Sequence, residues 1–88
     1  GEIDIIATKN YKLIFVEVKL KIGEDFGLPE EMINKHKLSQ VQGTAVSFLQ
    51  QNPKFDKSSD SYQIDAVCIV TDVNQEVLRI NHYENITF

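Results

Sequence analysis

The sequence predicts an α/β domain in which one helix crosses over a mixed β-sheet. Three observations carry this. Two short runs of β-branched and apolar residues stand close together near the start, a segment with helical apolar spacing follows, and two further strand-like runs close the chain. A helix set between the second and third strands makes the sheet mixed and packs on it.

The first run extends from Ile3 to Ala7 and the second from Leu13 to Leu20, and the polar "TKNYK" with Asn10 between them is a hairpin signal. Side chains alternate along a strand, so Ile14, Val16, Val18 and Leu20 share one face while Leu13, Phe15, Glu17 and Lys19 share the other. Both faces begin apolar. The strand is therefore expected to be central and covered on both sides, with Val18 on its apolar side. The stretch "IGEDFGLPEE" reads as a loop ending in a short turn over Pro29 to Ile33. Asn34 is the expected N-cap of a helix in which Leu38, Val41, Ala45, Phe48 and Leu49 recur three and four apart, ending near Gln51. "NPKFDKSSDS" carries no apolar period and reads as a surface connection. "YQIDAVCIV" is apolar enough for an interior strand, "TDVNQ" turns, and the more polar "EVLRINHY" is expected nearer an edge.

The 88 residues, 42% hydrophobic and 25% charged, suit one globular domain over 1–88. Gly1 already stands in a strand-like pattern without an initiator methionine, so a piece of a longer polypeptide is expected. No apolar run approaches the roughly 20 residues of a membrane span, and no signal-peptide pattern is present, which makes a cytoplasmic location the expectation. Cys68 is the lone cysteine and lies in the apolar run "DAVCIV". It excludes an internal disulfide and a thiolate zinc site, and it fits a reducing compartment. The net charge of −4 argues against strong nonspecific binding to nucleic acid, which relies on basic residues displacing counterions. The deficit is uneven, because residues 1–37 hold six lysines against seven acids and residues 38–88 hold three basic residues against six acids.

Charges on otherwise apolar strands ask for a reason. Asp4 shares its face with Glu2 and Ile6, and a neighbouring strand sets it beside Glu17, with Lys19 two residues further on. Magnesium and manganese prefer oxygen ligands, and hydrolysis of a phosphodiester uses them to activate water and neutralise charge. Asp4 and Glu17 are the candidate metal ligands, and Lys19 is placed to handle the attacking water or the phosphate. The competing reading is an ion pair of Glu17 with Lys19 at a strand end, of equal weight on spacing alone.

Beyond spacing, "GEIDIIA", "FVEVK", "PEEMINKHK", "QIDAVCIV" and "INHYENITF", in that order, resemble the YraN-like bacterial proteins over nearly the whole chain. The resemblance implies the restriction-endonuclease-like fold of the PD-(D/E)XK nucleases and Holliday-junction resolvases, with Asp4, Glu17 and Lys19 at the positions of the Asp and the Glu-x-Lys. It also implies an N-terminal helix and a first strand that are missing here. Similar nuclease folds place a helix Lys or Gln near the phosphate, which marks Lys37 and Gln40 as substrate-binding candidates. Glu2 is a candidate outer carboxylate, with an exposed hairpin residue as its plainer reading. Asp65 matches a family Asp expected to pair with a base. His36 and His82 have no partners at metal spacing and read as surface or edge-strand residues.

The function so implied is metal-dependent cleavage of nucleic acid, DNA of branched or otherwise unusual structure, with magnesium or manganese as cofactor and Asp4, Glu17 and Lys19 as catalytic residues. The alternative is a non-catalytic domain of the same fold that binds a protein or nucleic-acid partner. A third reading is an oligomerisation module, a homodimer, built on the fourth strand.

Overall fold

In the computed structural model, residues 3–55 and 62–86 are described. A hairpin opens the fold: β1 (Ile5–Lys9) pairs antiparallel with β2 (Lys12–Ile22). Asn10 and Tyr11 both take positive φ (53° and 65°), the mirror-image turn whose twist matches that of paired strands. Pro29–Met32 forms a single 3-10 turn, followed by α1 (Lys35–Gln51), β3 (Tyr62–Thr71) and β4 (Val77–Tyr83). The sheet order is β1-β2-β3-β4, with β2 and β3 parallel and the outer pairs antiparallel. A parallel pair needs a long crossover, and α1 supplies it.

Elements expected from the sequence are present, with no end shifted by more than two residues. β2 is internal and β4 lies at an edge. Asn34 caps α1 by accepting the Lys37 N–H at 2.9 Å. The apolar spacing of α1 puts Leu38, Val41, Ala45 and Leu49 on one stripe, which packs against Leu13 and Phe15 of β2 and Ile64 of β3. Phe15 meets the rings of Phe48 and Tyr62 edge-on, each at 5.7 Å.

The expectation that β2 is covered on both sides is not met. α1 covers the face of Leu13, Phe15 and Glu17, which are buried, while Ile14, Val16 and Val18 on the reverse face are only half-buried. Register carries that second face across the sheet, from Ile5 through Val18 and Val67 to Ile80, and Ile5, Leu20, Ile22 and Ile80 are exposed on it. Val18 thus sits on the open side and not against the helix. Apolar residues on both faces are what a twice-covered strand shows, but composition does not say which face the one helix takes.

Candidate functional site

The helix-side face of β2 runs from core to charge. Leu13 and Phe15 are buried beneath α1, Glu17 comes next at 4% exposure, and Lys19 is half-buried beyond it. Lys19 Nζ lies 2.8 Å from Glu17 Oε1, and Lys37 Nζ approaches the same oxygen to 3.5 Å from the first turn of α1. The Asn34 cap fixes where α1 starts and so delivers Lys37 to this point. Glu17 Oε2 is buried with no hydrogen-bond partner among the described residues. An unpaired buried carboxylate oxygen is costly, about 1–3 kcal/mol or more for a charged group, so this half-satisfied carboxylate is the unusual feature of the site.

Asp4 stands just before β1. Continuing the Ile5↔Val16 register by one residue sets it across from Glu17. Its Oδ2 accepts the Val18 N–H at 2.8 Å, which ties the exposed carboxylate to the same part of β2. The hairpin thus holds the Asp4 carboxylate on the Val18 backbone, next in sequence to Glu17, which itself gathers Lys19 and Lys37. Gln40 is not joined to them among the described residues. It is exposed on α1, with Nε2 3.3 Å from His36 Nε2 one turn earlier. Glu2 lies outside the described residues.

The start of α1 is electrostatically one-sided. Its first turn holds no acid but carries Lys35, His36 and Lys37, although helix dipoles favour acids there. Glu17 offsets Lys37. The rest of this positive end faces solvent, as Lys35 and His36 are exposed.

One further arrangement escaped sequence reasoning, and a second was foreseen only as a base beside Asp65. Arg79, the chain's only arginine, makes a bidentate pair with Glu30 (Nη1–Oε2 2.7 Å, Nη2–Oε1 2.9 Å) and reaches Glu24 through Nε at 2.9 Å. Tyr83 donates its hydroxyl to Glu30 Oε2 at 2.7 Å. The Arg79 and Tyr83 hydrogen bonds hold the Glu30 carboxyl down at about 2, and the same bonds push Arg79 and Tyr83 upward. This clamp ties the loop after β2 to β4. A lone arginine on a strand was the available signal, but its partners lie 49 and 55 residues away. Beside it, burial and then the Glu30 charge push the Cys68 thiol up, which keeps it an inert core residue.

The second arrangement is on the reverse face. Asp65 is 1% exposed, and its Oδ2 lies 2.8 Å from His82 Nε2 while Oδ1 accepts from Gln63 Nε2 and the Asn85 N–H. Burial would raise its carboxyl, but the hydrogen bonds from Asn85, His82 and Gln63 outweigh burial and hold it below the usual range. The base that pairs with Asp65 is His82. Its reading as a residue without partners at metal spacing is therefore corrected: Asp65, His82 and Glu84 offer ligand atoms that all lie within 4.8 Å of one another. Sequence spacing missed this because Asp65 comes from β3, whereas His82 lies on β4 and Glu84 just beyond it.

Fold and site together define an α/β protein whose four-stranded mixed sheet carries a buried, lysine-flanked glutamate on the helix-side face of an internal strand. The chain belongs to the uncharacterised protein family UPF0102, which matches residues 1–69. A UPF0102 protein of Pelotomaculum thermopropionicum is 31% identical over 85 residues, 97% of this chain and 68% of the relative. One from Caldicellulosiruptor bescii is 38% identical over 81 residues, 92% of this chain and 66% of the relative. A third, from Sulfurihydrogenibium, is 46% identical over 52 residues, 59% of this chain and 45% of the relative. No solved structure matches the chain. No helix among the described residues is long and apolar enough to cross a membrane.

Proposed function

We propose that the chain is the core of a metal-dependent nuclease of the restriction-endonuclease-like class, acting on DNA of branched or otherwise unusual structure. The observation that carries this is Glu17: a buried carboxylate on the core face of an internal strand, with one oxygen held by Lys19 and Lys37 and the other without a donor among the described residues. A plain ion pair leaves that second oxygen unexplained. Asp4, tied to the same stretch of β2, adds a second carboxylate, and this all-oxygen donor set suits magnesium or manganese. Such an ion, when bound, supplies Lewis-acid activation of water and neutralises phosphate charge.

The chain's own residues do the rest. Glu17 holds the Lys19 ammonium at the site, 2.8 Å away, where it donates to a phosphate oxygen or orients the attacking water. Lys37, with Lys35 and the N-terminal end of α1, attracts the phosphate backbone despite the net charge of −4. Gln40 enters as a contact for longer substrates, since it faces solvent one turn along the helix.

The test is product formation from branched and single-stranded DNA with manganese. Wild-type protein is expected to cleave, and Glu17→Gln to lose at least a hundredfold in rate. Equal product from both removes the catalytic assignment. The second reading, a non-catalytic partner-binding domain, draws on the grip of two lysines on Glu17 Oε1 and on the acidic net charge. Partner capture that survives Asp4→Asn together with Glu17→Gln, in a protein that binds no divalent ion, selects it.

A further inference from the structure

We infer that Asp65, His82 and Glu84 form a second metal site, on the opposite face of the sheet from Glu17, that takes a zinc-like first-row transition ion. The ligand set is one imidazole and two carboxylates, with ligand atoms within 4.8 Å of one another. Bonds of about 2.0–2.1 Å to a tetrahedral ion set two ligands roughly 3.3 Å apart. Asp65 Oδ2 and His82 Nε2, at 2.8 Å, already lie within that spacing, and Glu84, exposed at the end of β4, needs only a side-chain adjustment to close on them.

What separates this cluster from an ordinary surface ion pair is its support. Asp65 is buried, and its other oxygen is fixed by the Gln63 amide at 2.8 Å and the Asn85 N–H at 2.9 Å. Hydrogen-bonded outer partners of this kind orient a metal-binding carboxylate and hold it ionised. Asp65 and His82 stand on the adjacent, paired strands β3 and β4, so their spacing is set by the sheet. Access is open, because His82 is half exposed and a cavity of about 330 Å³ lined by Lys9, Lys12, Gln63 and Glu84 adjoins the cluster. On binding, the imidazole takes its Nδ1–H tautomer, Nδ1 gaining a proton from solvent as Nε2 gives one up, so that the Nε2 lone pair and Asp65 Oδ2 both turn to the ion. The imidazole distinguishes the site chemically from Asp4 and Glu17: nitrogen favours zinc, whereas carboxylates alone favour magnesium or manganese.

The experiment is calorimetric titration of the protein with zinc chloride in a Glu17→Gln background, which silences the other carboxylate pair. One ion per chain is expected at micromolar concentration, with at least tenfold weaker binding after Glu84→Gln and none detectable after His82→Gln. Should His82→Gln disturb the edge strand, seen as a changed circular dichroism spectrum, Glu84→Gln carries the test alone, since its exposed side chain supports no other contact described. Zinc binding of equal affinity in the background protein and in Glu84→Gln overturns the proposal, as does folded background protein that takes up no zinc. Neither result depends on nuclease activity, so failure here and failure of the proposed cleavage are read separately.

Discussion

Glu17 and Lys19 show how a single residue's surroundings decide its chemistry. Glu-Val-Lys is common in strands, and the pattern alone left catalysis and a plain ion pair equally open. The structure adds burial, a second lysine from α1, and an oxygen with no donor among the described residues, none of which is local in sequence. Lys19→Met keeps a stem of similar length and still leaves Lys37 on Glu17, so the domain is expected to fold with a loss of about 1–2 kcal/mol. Cleavage should fall at least a hundredfold, as for other lost transition-state donors, and turnover unchanged in that variant would make Lys19 purely structural. Glu30 gives a residue-scale prediction in pH. Its carboxyl is lowered from 4.5 to about 2 by Arg79 and Tyr83, with Glu24 and Asn81 also on the guanidinium. A depressed carboxyl stabilises the fold fully above its unfolded value, and that contribution fades as pH falls from about 4.5 towards 2. The melting-temperature gap between wild type and Glu30→Gln should therefore be constant near neutrality and shrink across that window. A gap that stays flat down to pH 2 would show that the clamp does not couple to folding.

At the scale of elements, periodicity made most of the fold legible. The two-residue alternation found the strands, the three-and-four spacing found α1, and Asn34 marked its start, because each is a local consequence of backbone geometry. The lateral arrangement was less legible. Burial of one β2 face and not the other depends on where α1 lands, and the Asp65–His82 and Arg79–Glu30 contacts depend on how β4 folds back beside β3. These are long-range facts, and alternation within one strand is blind to them. The two faces of β2 should respond differently to mutation. Phe15 is fully buried among Leu38, Val41 and Leu49, so Phe15→Ala should cost about 3–5 kcal/mol, a large share of a small domain's stability. Val18, half-buried on the open face beside Val67, should tolerate aspartate at roughly 1–2 kcal/mol, since the carboxylate stays near water. Urea unfolding of both variants decides the point, and a Val18→Asp protein as unstable as Phe15→Ala would mean that a further layer covers the second face.

For the whole molecule, the shortest principal dimension is 19 Å, room for a sheet and one helix layer about 10 Å apart. Metal binding at the helix-side site then has to act on a fold with only one such core, so it should register in global stability. An ion that binds the native state alone adds RT ln(1 + [L]/Kd), about 1.4 kcal/mol when the concentration is ten times Kd. Two-carboxylate magnesium sites are weak, with most coordination left to water, so Kd of roughly 1 mM and about 10 mM metal are the working values. For a domain of this length the gain corresponds to a melting shift of roughly 6–11 °C. Asp4→Asn is the sharpest probe, because its amide oxygen still accepts the Val18 N–H while the charge that would face the ion is lost. The shift should vanish in Asp4→Asn and in Glu17→Gln, and chelator should remove it from wild type. The ion-pair reading makes the opposite pair of statements: Glu17→Gln destabilises the protein by stranding Lys19 and Lys37, and magnesium or manganese changes nothing in any variant. Melting curves at constant ionic strength separate the two, since simple screening of the −4 net charge moves all variants alike. A metal shift that persists in both mutants would assign the ion to other residues, and no shift in wild type at 10 mM would remove Asp4 and Glu17 as a metal pair.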